Sequence, residues 1–286
     1  MKKVLIVSNI NAGRKKAIKY KKKVIDFVLK YTKDFKFIDI NEYNSADAEQ
    51  FDTIITIGGD GTVSQVIPDI INTDKVLGVI PSGTANLLAA NLGIDFNIDN
   101  ALKVISEENI KKIDTIKIND KYCVLRFGIG YDANIICKTP QKLKNRFGYF
   151  AYIIAGIIFA LRLKLKKYNI IIDGTEYKKD ASCIIISNAS NMYKDIVSLS
   201  KSSYLNDNEA DIFILKTTNP ILFFIEFIKI IFKIYTNSEI AEYKKAKSIN
   251  IKNSWQLCHI DGEKKYIKED ININIIPDSV NIYSLK

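Results

Sequence analysis

The sequence contains few of the residues that build metal centres or covalent cross-links. Its 286 residues include four cysteines and a single histidine, His259. The cysteines are far apart and form no Cys-x-x-Cys pair; they are Cys123, Cys137, Cys183 and Cys258. Zinc sites and disulfide frameworks are therefore not expected, and the composition fits a reducing cytosol.

Long apolar runs are also missing. No stretch reaches the roughly eighteen apolar residues that a membrane span requires, and no repeat or low-complexity linker is visible. The apolar run at the N-terminus is too short for a signal peptide, so we expect it to form a first strand, Lys3 to Val7. With 47% hydrophobic and 26% charged residues, the chain is typical of a globular protein with one large or two modest domains.

Lysine is abundant, and the formal net charge is +10. A positive charge of this size favours an anionic partner such as a nucleotide, a nucleic acid or acidic lipid head groups. Because isoleucine and asparagine are also abundant, part of the lysine content reflects overall composition. The charge therefore permits such partners without selecting one.

A glycine-rich loop follows a β-branched run, Asp52 to Ile57, that is expected to be a buried strand. The loop, Gly58-Gly-Asp-Gly-Thr62, precedes Val63 to Ile71, in which apolar residues recur at helical spacing. Glycines let main-chain N–H groups close on an anion at a helix N-terminus, and Thr62 can cap that helix. Asp60 places a carboxylate beside this phosphate-sized loop, where a metal would reconcile the charges. An ordinary strand-to-helix turn is the alternative.

A second loop of the same kind is Pro81-Ser-Gly-Thr-Ala-Asn86. It follows a predicted strand, Val76 to Ile80, and leads into a predicted helix, Leu87 to Leu92. Thr84 and Asn86 are small hydrogen-bonding residues suited to phosphate, ribose or metal-bound water. Since parallel strands deliver such loops to one edge of a sheet, the pair of loops predicts a nucleotide cleft.

Alternation of strands and helices continues through residue 92 and predicts a doubly wound, Rossmann-like α/β domain over residues 1–112. Its other elements are a helix, Lys15 to Tyr31, and a strand, Phe35 to Ile40. From residue 113 to 286 short strands recur, which predicts a β-rich, mostly antiparallel second domain. The predicted strands are Asp114 to Ile118, Tyr122 to Phe127, Ile170 to Ile172, Ala181 to Ser187, Ile212 to Leu215 and Ser248 to Ile251. The final strand, Val280 to Leu285, either closes this domain or returns to the first.

The two glycine loops, in this order, resemble the diacylglycerol kinase catalytic-domain family, in particular bacterial lipid kinases related to sphingosine kinases. Gly-Gly-Asp-Gly-Thr is shared with NAD kinases and so indicates only the superfamily. Phe127 to Ala133 and Lys144 to Tyr152 resemble recurrent segments of the lipid kinases' second domain. These segments favour the lipid kinases, because the NAD kinase resemblance does not extend to them.

The resemblance implies ATP and Mg²⁺ as cofactors and an active site in the cleft between the two domains. Asp60 would orient metal-bound water or the phosphates. Asn9 and Gly13 match the family's loop after the first strand, and Asn41 ends the second strand, where relatives place a threonine near the nucleotide. The implied nucleotide site comprises Asn9, Asn41, Gly58, Gly59, Asp60, Gly61, Thr62, Val63, Ser64, Thr84 and Asn86.

Two further matches concern catalysis and a second metal. Asp261-Gly-Glu263 corresponds to the family's Asp-Gly-Glu, whose glutamate is the general base, so Glu263 would deprotonate the acceptor alcohol. Tyr204 to Phe213 resembles a segment that holds a structural Mg²⁺, which would fall to the Asp207 side chain and the carbonyls of Tyr204 and Glu209. Asn208 replaces the family's glycine there, and asparagine tolerates left-handed φ. A solvated turn is the alternative for this segment, and His259 is interpreted as structural.

Two apolar segments, Gly148 to Leu161 and Pro220 to Tyr235, must bury against the core, a second subunit or a bilayer interface. Lysines after the first segment suit anionic head groups; they are Lys164, Lys166 and Lys167.

The sequence thus predicts an ATP- and Mg²⁺-dependent lipid kinase of phospholipid biosynthesis that phosphorylates a diacylglycerol-like hydroxyl. It would be cytoplasmic and peripheral to the inner face of the membrane, with a homodimer as one candidate assembly and no nucleic-acid partner. The alternatives are an NAD-kinase-like enzyme with a soluble substrate and a non-catalytic, membrane-associated regulator on the same fold.

Overall fold

The computed structural model describes residues 1–10, 16–140, 143, 150–189, 191–193, 197–198 and 204–285. Gly13 and residues 144–149 of the second-domain match lie outside the described residues. The chain forms two compact units, one of Met1–Asp114 with Pro277–Lys286 and the other of Thr115–Ile276. The sequence places the boundary after residue 112, and the last ten residues belong to the first unit.

The first unit is built on parallel strands. Its elements are β1 (Val4–Ser8), α1 (Lys16–Val28), β2 (Phe35–Asp39), α2 (Ser45–Glu49), β3 (Thr53–Gly58), α3 (Asp60–Val66), β4 (Val76–Pro81), α4 (Leu87–Asn91), α5 (Ile98–Ser106) and the start of β5 (Ile110–Ile118). The strands run in the order β2-β1-β3-β4, all parallel, and Asn281 and Ile282 of the last strand pair beside β4. Strands β1 and β3 are buried along their whole length, which explains why they read as continuous apolar runs.

One helix of this unit is shorter than predicted, and another has no counterpart in the prediction. The helix after the first glycine loop ends at Val66 and passes into a 3₁₀ turn, Ile67–Asp69, instead of continuing to Ile71. Pro68 explains the change, because proline has no N–H to continue the α-helical hydrogen bonds. The segment around Asp47 forms the short helix α2, which begins with a capping box between Asn44 and Asp47.

The second unit is antiparallel, as predicted. Its elements are the end of β5, β6 (Lys121–Cys123), β7 (Arg126–Gly130), α6 (Tyr131–Lys138), α7 (Phe150–Ala160), β8 (Lys166–Ile172), β9 (Thr175–Ala181), β10 (Cys183–Ser187), β11 (Asn191–Tyr193), β12 (Val197–Ser198), β13 (Ala210–Leu215), α8 (Pro220–Ile231), β14 (Ala241–Ala246), β15 (Ser248–Ile260) and β16 (Glu263–Tyr283). Its sheet has the order β14-β13-β10-β7-β15-β16, with β8 on β15 and β9 on β8. Strand β16 continues past residue 276 into the first unit.

The predicted strand from Tyr122 to Phe127 is two strands, β6 and β7, separated by Val124 and Leu125. The main-chain N–H groups of these two residues bond to the carboxylate of Asp261 and not to a neighbouring strand. Among the helices in the described ranges, none is long and apolar enough to cross a membrane.

Candidate active site

The two glycine loops of the first unit touch through their backbones. Strands β3 and β4 pair up to Gly58 and Pro81, and the amides of Ser82 and Gly83 both donate to the Gly58 carbonyl oxygen. A Cβ atom on Gly83 would lie 2.5 Å from the Cα of Gly59, closer than any side chain tolerates. Glycine is therefore required for this contact, and the predicted convergence of the loops on one edge of the sheet is present.

Asn86 and Asp60 fasten the second loop. The Asn86 side chain accepts a hydrogen bond from the Gly83 N–H (2.9 Å) and donates to the Gly83 carbonyl (3.1 Å), while its own backbone is left-handed with φ 50°. Asp60 Oδ1 accepts from the Leu88 N–H at 3.0 Å, at the start of α4. Both side chains therefore hold the backbone of the second glycine loop in its conformation. This is a structural role in addition to the predicted contact with a ligand.

The other predicted residues of the two loops differ in how exposed they are. Thr62 and Val63 are buried, whereas Gly61 and Ser64 are half-buried and Thr84 is exposed. Thr62 does not cap α3, since the cap residue is Gly59 and no side chain bonds there. A Cβ atom on Gly61 would meet nothing within 4 Å, so the backbone of the loop is open on that side.

Within the described part of the chain, three buried hydroxyl groups at this edge have no hydrogen-bond partner. They are Ser8 Oγ at the end of β1, Thr62 Oγ1 in α3 and Ser82 Oγ after β4. Leaving a buried hydroxyl unsatisfied costs free energy of about 1–3 kcal/mol. Three at one edge suit a polar ligand or ordered water, so the residues present fit a phosphate-bearing group.

Asn9 and Asn41 also lie at this edge, and a residue that the sequence analysis did not identify connects their loops. The carboxylate of Asp39, the last residue of β2, accepts from the backbone N–H of Ile10 (3.3 Å) and of Asn41 (3.0 Å). The Asn9 N–H in turn donates to the Ile57 carbonyl, next to the first glycine loop. The position of Asp39 could have identified it, because an acid at the carboxyl end of a parallel strand commonly serves the ligand edge.

The second unit carries the Asp-Gly-Glu sequence in a two-residue hairpin turn. Ile260 pairs with Glu263 across the end of β15 and β16, and Asp261 and Gly262 occupy the turn with φ 47° and 88°. Positive φ at both positions is the geometry that the Asp-Gly pair favours in hairpins. The turn therefore follows from the local sequence.

A long-range contact then locks this turn. The buried carboxylate of Asp261 accepts hydrogen bonds from the backbone amides of Val124 (2.8 Å), Leu125 (2.9 Å) and Arg126 (2.9 Å). The Cys123 thiol donates to the same carboxylate, and burial together with the Asp261 charge raises the pKa of that thiol. Asp261 is therefore structural, and it holds the segment between β6 and β7 against the hairpin.

Glu263, the predicted general base, begins β16 with a partly exposed side chain. Its Oε2 lies 3.2 Å from the Nζ of Lys265, whose side chain is similarly exposed. The carboxylate is thus accessible and held by a rigid turn, which suits a group that must meet a substrate.

His259 also stabilises this turn, through a hydrogen bond to Gly262. Its Nδ1 accepts from the Gly262 N–H at 3.3 Å, so its Nε2 carries the proton and faces Asp132 Oδ2 at 2.5 Å. His259 is fully buried, and a Cβ on Gly128 would collide with both side chains of the pair. The interpretation of His259 as a structural residue fits this geometry.

Arg126 and Asp132 complete this buried network. Although burial raises the pKa of Asp132, the charge of Arg126 (3.8 Å away) and the hydrogen bond from His259 outweigh it and lower the pKa to about 2. The carboxylate is therefore ionised at neutral pH. Sequence reasoning missed this network because Asp132 and His259 are 127 residues apart along the chain.

The predicted structural-metal loop has the expected backbone, with Asn208 in the left-handed region at φ 63°. However, a lysine side chain forms an ion pair with the carboxylate of Asp207 in this loop. Lys245 Nζ on β14 lies 2.5 Å from Asp207 Oδ2 and 4.0 Å from Asp211 Oδ1. Burial lowers the pKa of Lys245, but these carboxylates outweigh it and raise the pKa above its usual value.

An ammonium group at that distance takes the position that a divalent cation bonded to Asp207 would need, so the residues as placed do not fit a metal. Tyr204 is exposed and Glu209 donates its backbone N–H to Asp207 Oδ1 at 3.4 Å. Across the described residues, no group of three or more His, Cys, Asp or Glu side chains could hold a metal ion. Structural Mg²⁺ at this loop stays a prediction that the geometry does not favour.

Comparison with known proteins extends over most of the chain. The family model of the diacylglycerol kinase catalytic domain matches residues 3–118. A diacylglycerol kinase of Staphylococcus aureus (strain Newman) is 31% identical over 231 residues, which are 78% of this chain and 71% of that protein. A protein of Streptococcus pneumoniae named "Putative lipid kinase" is 28% identical, with 99% of this chain and 98% of that protein covered. An uncharacterized Synechocystis protein is 40% identical over 149 residues, 52% of this chain but 34% of that protein.

Solved structures show the same fold. A crystal structure described as a "putative diacylglycerol kinase" from Bacillus anthracis superposes with a TM-score of 0.83 at 24% identity, covering 99% of this chain and 95% of that one. An NAD kinase from Archaeoglobus fulgidus, in complex with ATP, superposes with a TM-score of 0.56 at 11% identity, covering 99% and 94%. The predicted fold class, a Rossmann-like α/β domain with a mostly antiparallel β-rich domain, is confirmed. Together with the family model, the Staphylococcus relative shows that this chain belongs to the diacylglycerol kinase family.

Proposed function

We propose that this chain is an ATP-dependent lipid kinase that transfers the γ-phosphoryl group of ATP to the hydroxyl of a diacylglycerol-like membrane lipid. Family membership supports a kinase, and relatives named as diacylglycerol and lipid kinases support a lipid acceptor. The observation that carries the proposal is the Asp261-Gly262-Glu263 hairpin. Three backbone amides and a thiol donate to Asp261, which holds the hairpin turn in place. Glu263 follows this turn directly, and its carboxylate is partly exposed.

The proposed acceptor chemistry requires a base. A lipid hydroxyl is a weak nucleophile, and its oxygen attacks the γ-phosphorus as the O–H proton passes to the Glu263 carboxylate. The bond between the γ-phosphorus and the bridging oxygen breaks, and ADP leaves with that oxygen. The Nζ of Lys265 lies 3.2 Å from Glu263 Oε2 and helps to orient this carboxylate. His259 is a positioning residue, because it contacts the turn through Gly262 and not the substrate.

The proposed donor site is the carboxyl edge of the parallel sheet in the first unit. Open glycine backbone at Gly61 admits phosphate oxygens, and the unsatisfied hydroxyls of Ser8, Thr62 and Ser82 favour polar contacts there. Mg²⁺ bound with ATP would neutralise charge that develops on the phosphoryl oxygens. The partly exposed carboxylate of Asp60 suits that ion or its water, while its Oδ1 keeps α4 in place.

We place this activity in phospholipid metabolism at the cytoplasmic face of a membrane, where both ATP and lipid are present. The acceptor class is an alcohol on a lipid, and the hydroxyl of diacylglycerol is the first candidate. An NAD-kinase-like activity is the main competitor, because the NAD kinase fold is similar.

The test is transfer of labelled γ-phosphate from ATP with Mg²⁺ to detergent-dispersed diacylglycerol, phosphatidylglycerol, sphingoid base and prenol, with NAD as a lipid-free acceptor. We expect a labelled lipid with the wild-type protein. Replacing the base, Glu263→Gln, should lower kcat by about 10²–10⁴-fold, the range for loss of a general base.

The matched control is Lys265→Gln, which breaks the same ion pair but leaves the carboxylate in place. Its kcat should stay within about tenfold of wild type. Labelled NAD without labelled lipid would replace this proposal with the NAD-kinase-like one. Equal loss in both variants would show that Glu263 acts through the ion pair and not as the base.

A further inference from the structure

A cavity of about 260 Å³ lies between two hairpins of the second unit, one formed by β5 and β6 and the other by β15 and β16. Its apolar floor consists of Ile118, Ile260 and Ile267, which belong to the hydrophobic core of this unit or pack against it. Sites for drug-sized ligands usually measure about 300–1,000 Å³. The cavity is therefore large enough for a small polar molecule or a head group and too small for a whole lipid.

The turn between β5 and β6 is tied to β16, so one end of the cavity is preformed. The Asn119 backbone has a left-handed φ of 51°. Its side chain accepts a hydrogen bond from the Asn272 N–H (2.8 Å) and donates to Glu269 Oε1 (3.0 Å), and its own N–H donates to the Asn272 carbonyl (2.9 Å). A cavity held in this way needs little rearrangement to accept a ligand, which lowers the free-energy cost of binding.

Three lysines line the cavity, namely Lys121, Lys265 and Lys268. Lys265 forms the ion pair with Glu263, whereas among the residues that the structure describes neither Lys121 nor Lys268 forms an ion pair. Burial raises the pKa of the Cys258 thiol to about 11, and the charges of Lys121 and Lys265 both act against that rise. Both ammonium groups are therefore near this thiol, which places Lys121 beside the ion pair of Glu263.

Two acids also line the cavity, and both belong to its tied end. Glu269 accepts the hydrogen bond from Asn119, and Asp120 is an exposed residue of the turn itself. Within the described part of the chain, neither carboxylate forms an ion pair with a lysine of the cavity. The ammonium groups of Lys121 and Lys268 therefore remain available to an anion. Phosphate suits them, because it is compact and offers several acceptor oxygens to charged donors.

We propose that this cavity binds a phosphate group beside the carboxylate of Glu263. Lys121 and Lys268 donate to the phosphate oxygens, and Lys265 stays paired with Glu263. The phosphate comes either from free inorganic phosphate or from the head group of a phospholipid. The second source rests on the proposed function, because it makes the acceptor a lipid whose hydroxyl and phosphate lie on the same head group. Binding of the phosphate itself requires no catalysis.

The test is isothermal titration calorimetry of the full chain with inorganic phosphate and, separately, with glycerol 3-phosphate. Saturating ADP and Mg²⁺ fill the proposed donor site, so that the glycine loops do not contribute. Lys121→Gln combined with Lys268→Gln should weaken binding by about tenfold or more, since both charge-assisted donors are lost. The matched control is Lys112→Gln combined with Lys117→Gln, which removes the same charge from exposed positions of β5 outside the cavity and should bind like wild type.

The two ligands distinguish the sources of the phosphate. Inorganic phosphate bound at least as tightly as glycerol 3-phosphate indicates a site for free phosphate, whereas tighter binding of glycerol 3-phosphate indicates a head group. In the second case, the labelled-phosphate assay should give a higher KM for phosphatidylglycerol with the Lys121 and Lys268 variant than with wild type. The KM for diacylglycerol, which carries no phosphate, should stay unchanged.

Three results would overturn the proposal. Wild type binds neither ligand, the Lys121 and Lys268 variant binds as tightly as wild type, or the Lys112 and Lys117 control loses affinity equally, which would show a general effect of positive charge. Urea unfolding of each variant establishes that folded proteins are compared. Phosphate transfer is measured separately, and its absence with every acceptor would refute the kinase assignment and leave the calorimetric result standing.

Discussion

Replacing Asp132 by asparagine removes one negative charge from the buried network behind the Asp-Gly-Glu hairpin and changes little else. The amide has the shape of the carboxylate, and its oxygen can still accept from the protonated Nε2 of His259. Arg126, 3.8 Å from the carboxylate, would lose its counter-charge. We therefore expect a stable but weakened fold, and the size of the loss measures the charge alone.

The magnitude follows from the pKa of Asp132, which is lowered from 3.8 to about 2 in the folded protein. Because folding lowers this pKa, the ionised carboxylate stabilises the fold above pH 4, and that stability is lost as the pH falls through about 2. At about 1.4 kcal/mol per pKa unit, the contribution at neutral pH is about 2 kcal/mol. The group is fully buried, so solvent screening reduces it little.

Urea unfolding followed by circular dichroism at pH 7, 5, 4 and 3 measures this contribution. Asp132→Asn should lower the free energy of unfolding by about 2 kcal/mol at pH 7 and pH 5, and the gap from wild type should narrow between pH 4 and pH 3. Asp120→Asn, at an exposed turn, is the control and should match wild type throughout. A gap that stays constant with pH would refute the electrostatic reasoning and point to altered packing.

Two further predictions concern the glycine loops and the metal loop. Gly83→Ala forces a Cβ atom against the Cα of Gly59. It should lower the free energy of unfolding in urea by about 1–3 kcal/mol and raise the KM for ATP. Unchanged values of both quantities would show that the loops are not tightly packed together. Lys245→Gln should lower stability by about 1 kcal/mol relative to a Lys247→Gln control, and EDTA or Mg²⁺ should leave the melting temperature of nucleotide-free wild type unchanged. A rise with Mg²⁺ that Asp207→Asn abolishes would instead establish a bound cation at this loop.

Local sequence sufficed for features whose causes lie within a few residues. Continuous β-branched runs predicted the buried parallel strands, because strands covered on both faces need no polar side. The glycine loops at their ends predicted the ligand edge, since carboxyl ends of parallel strands meet there. Asn208 was expected to adopt left-handed φ and does, for the steric reason that favours asparagine in that region.

Other features depend on which distant strands pair, and short-range rules do not contain that information. Asp261 reads as a turn residue, and only the pairing of β15 with β7 brings Val124 and Leu125 to its carboxylate. The same pairing places His259 beside Gly128, across from Asp132.

The metal loop and the apolar helices show the same division. Lys245 and Asp207 are 38 residues apart along the chain. They meet because β14 pairs with β13. Helical periodicity predicted that the segments around α7 and α8 are apolar, and only packing on Tyr131 decided which sides remain exposed. The sequence by itself thus determined the family, the parallel strands and the turns, where each residue's conformation depends on its neighbours. Tertiary structure decided which charges are paired and which apolar sides stay exposed, because those depend on contacts that chain folding brings together across long separations.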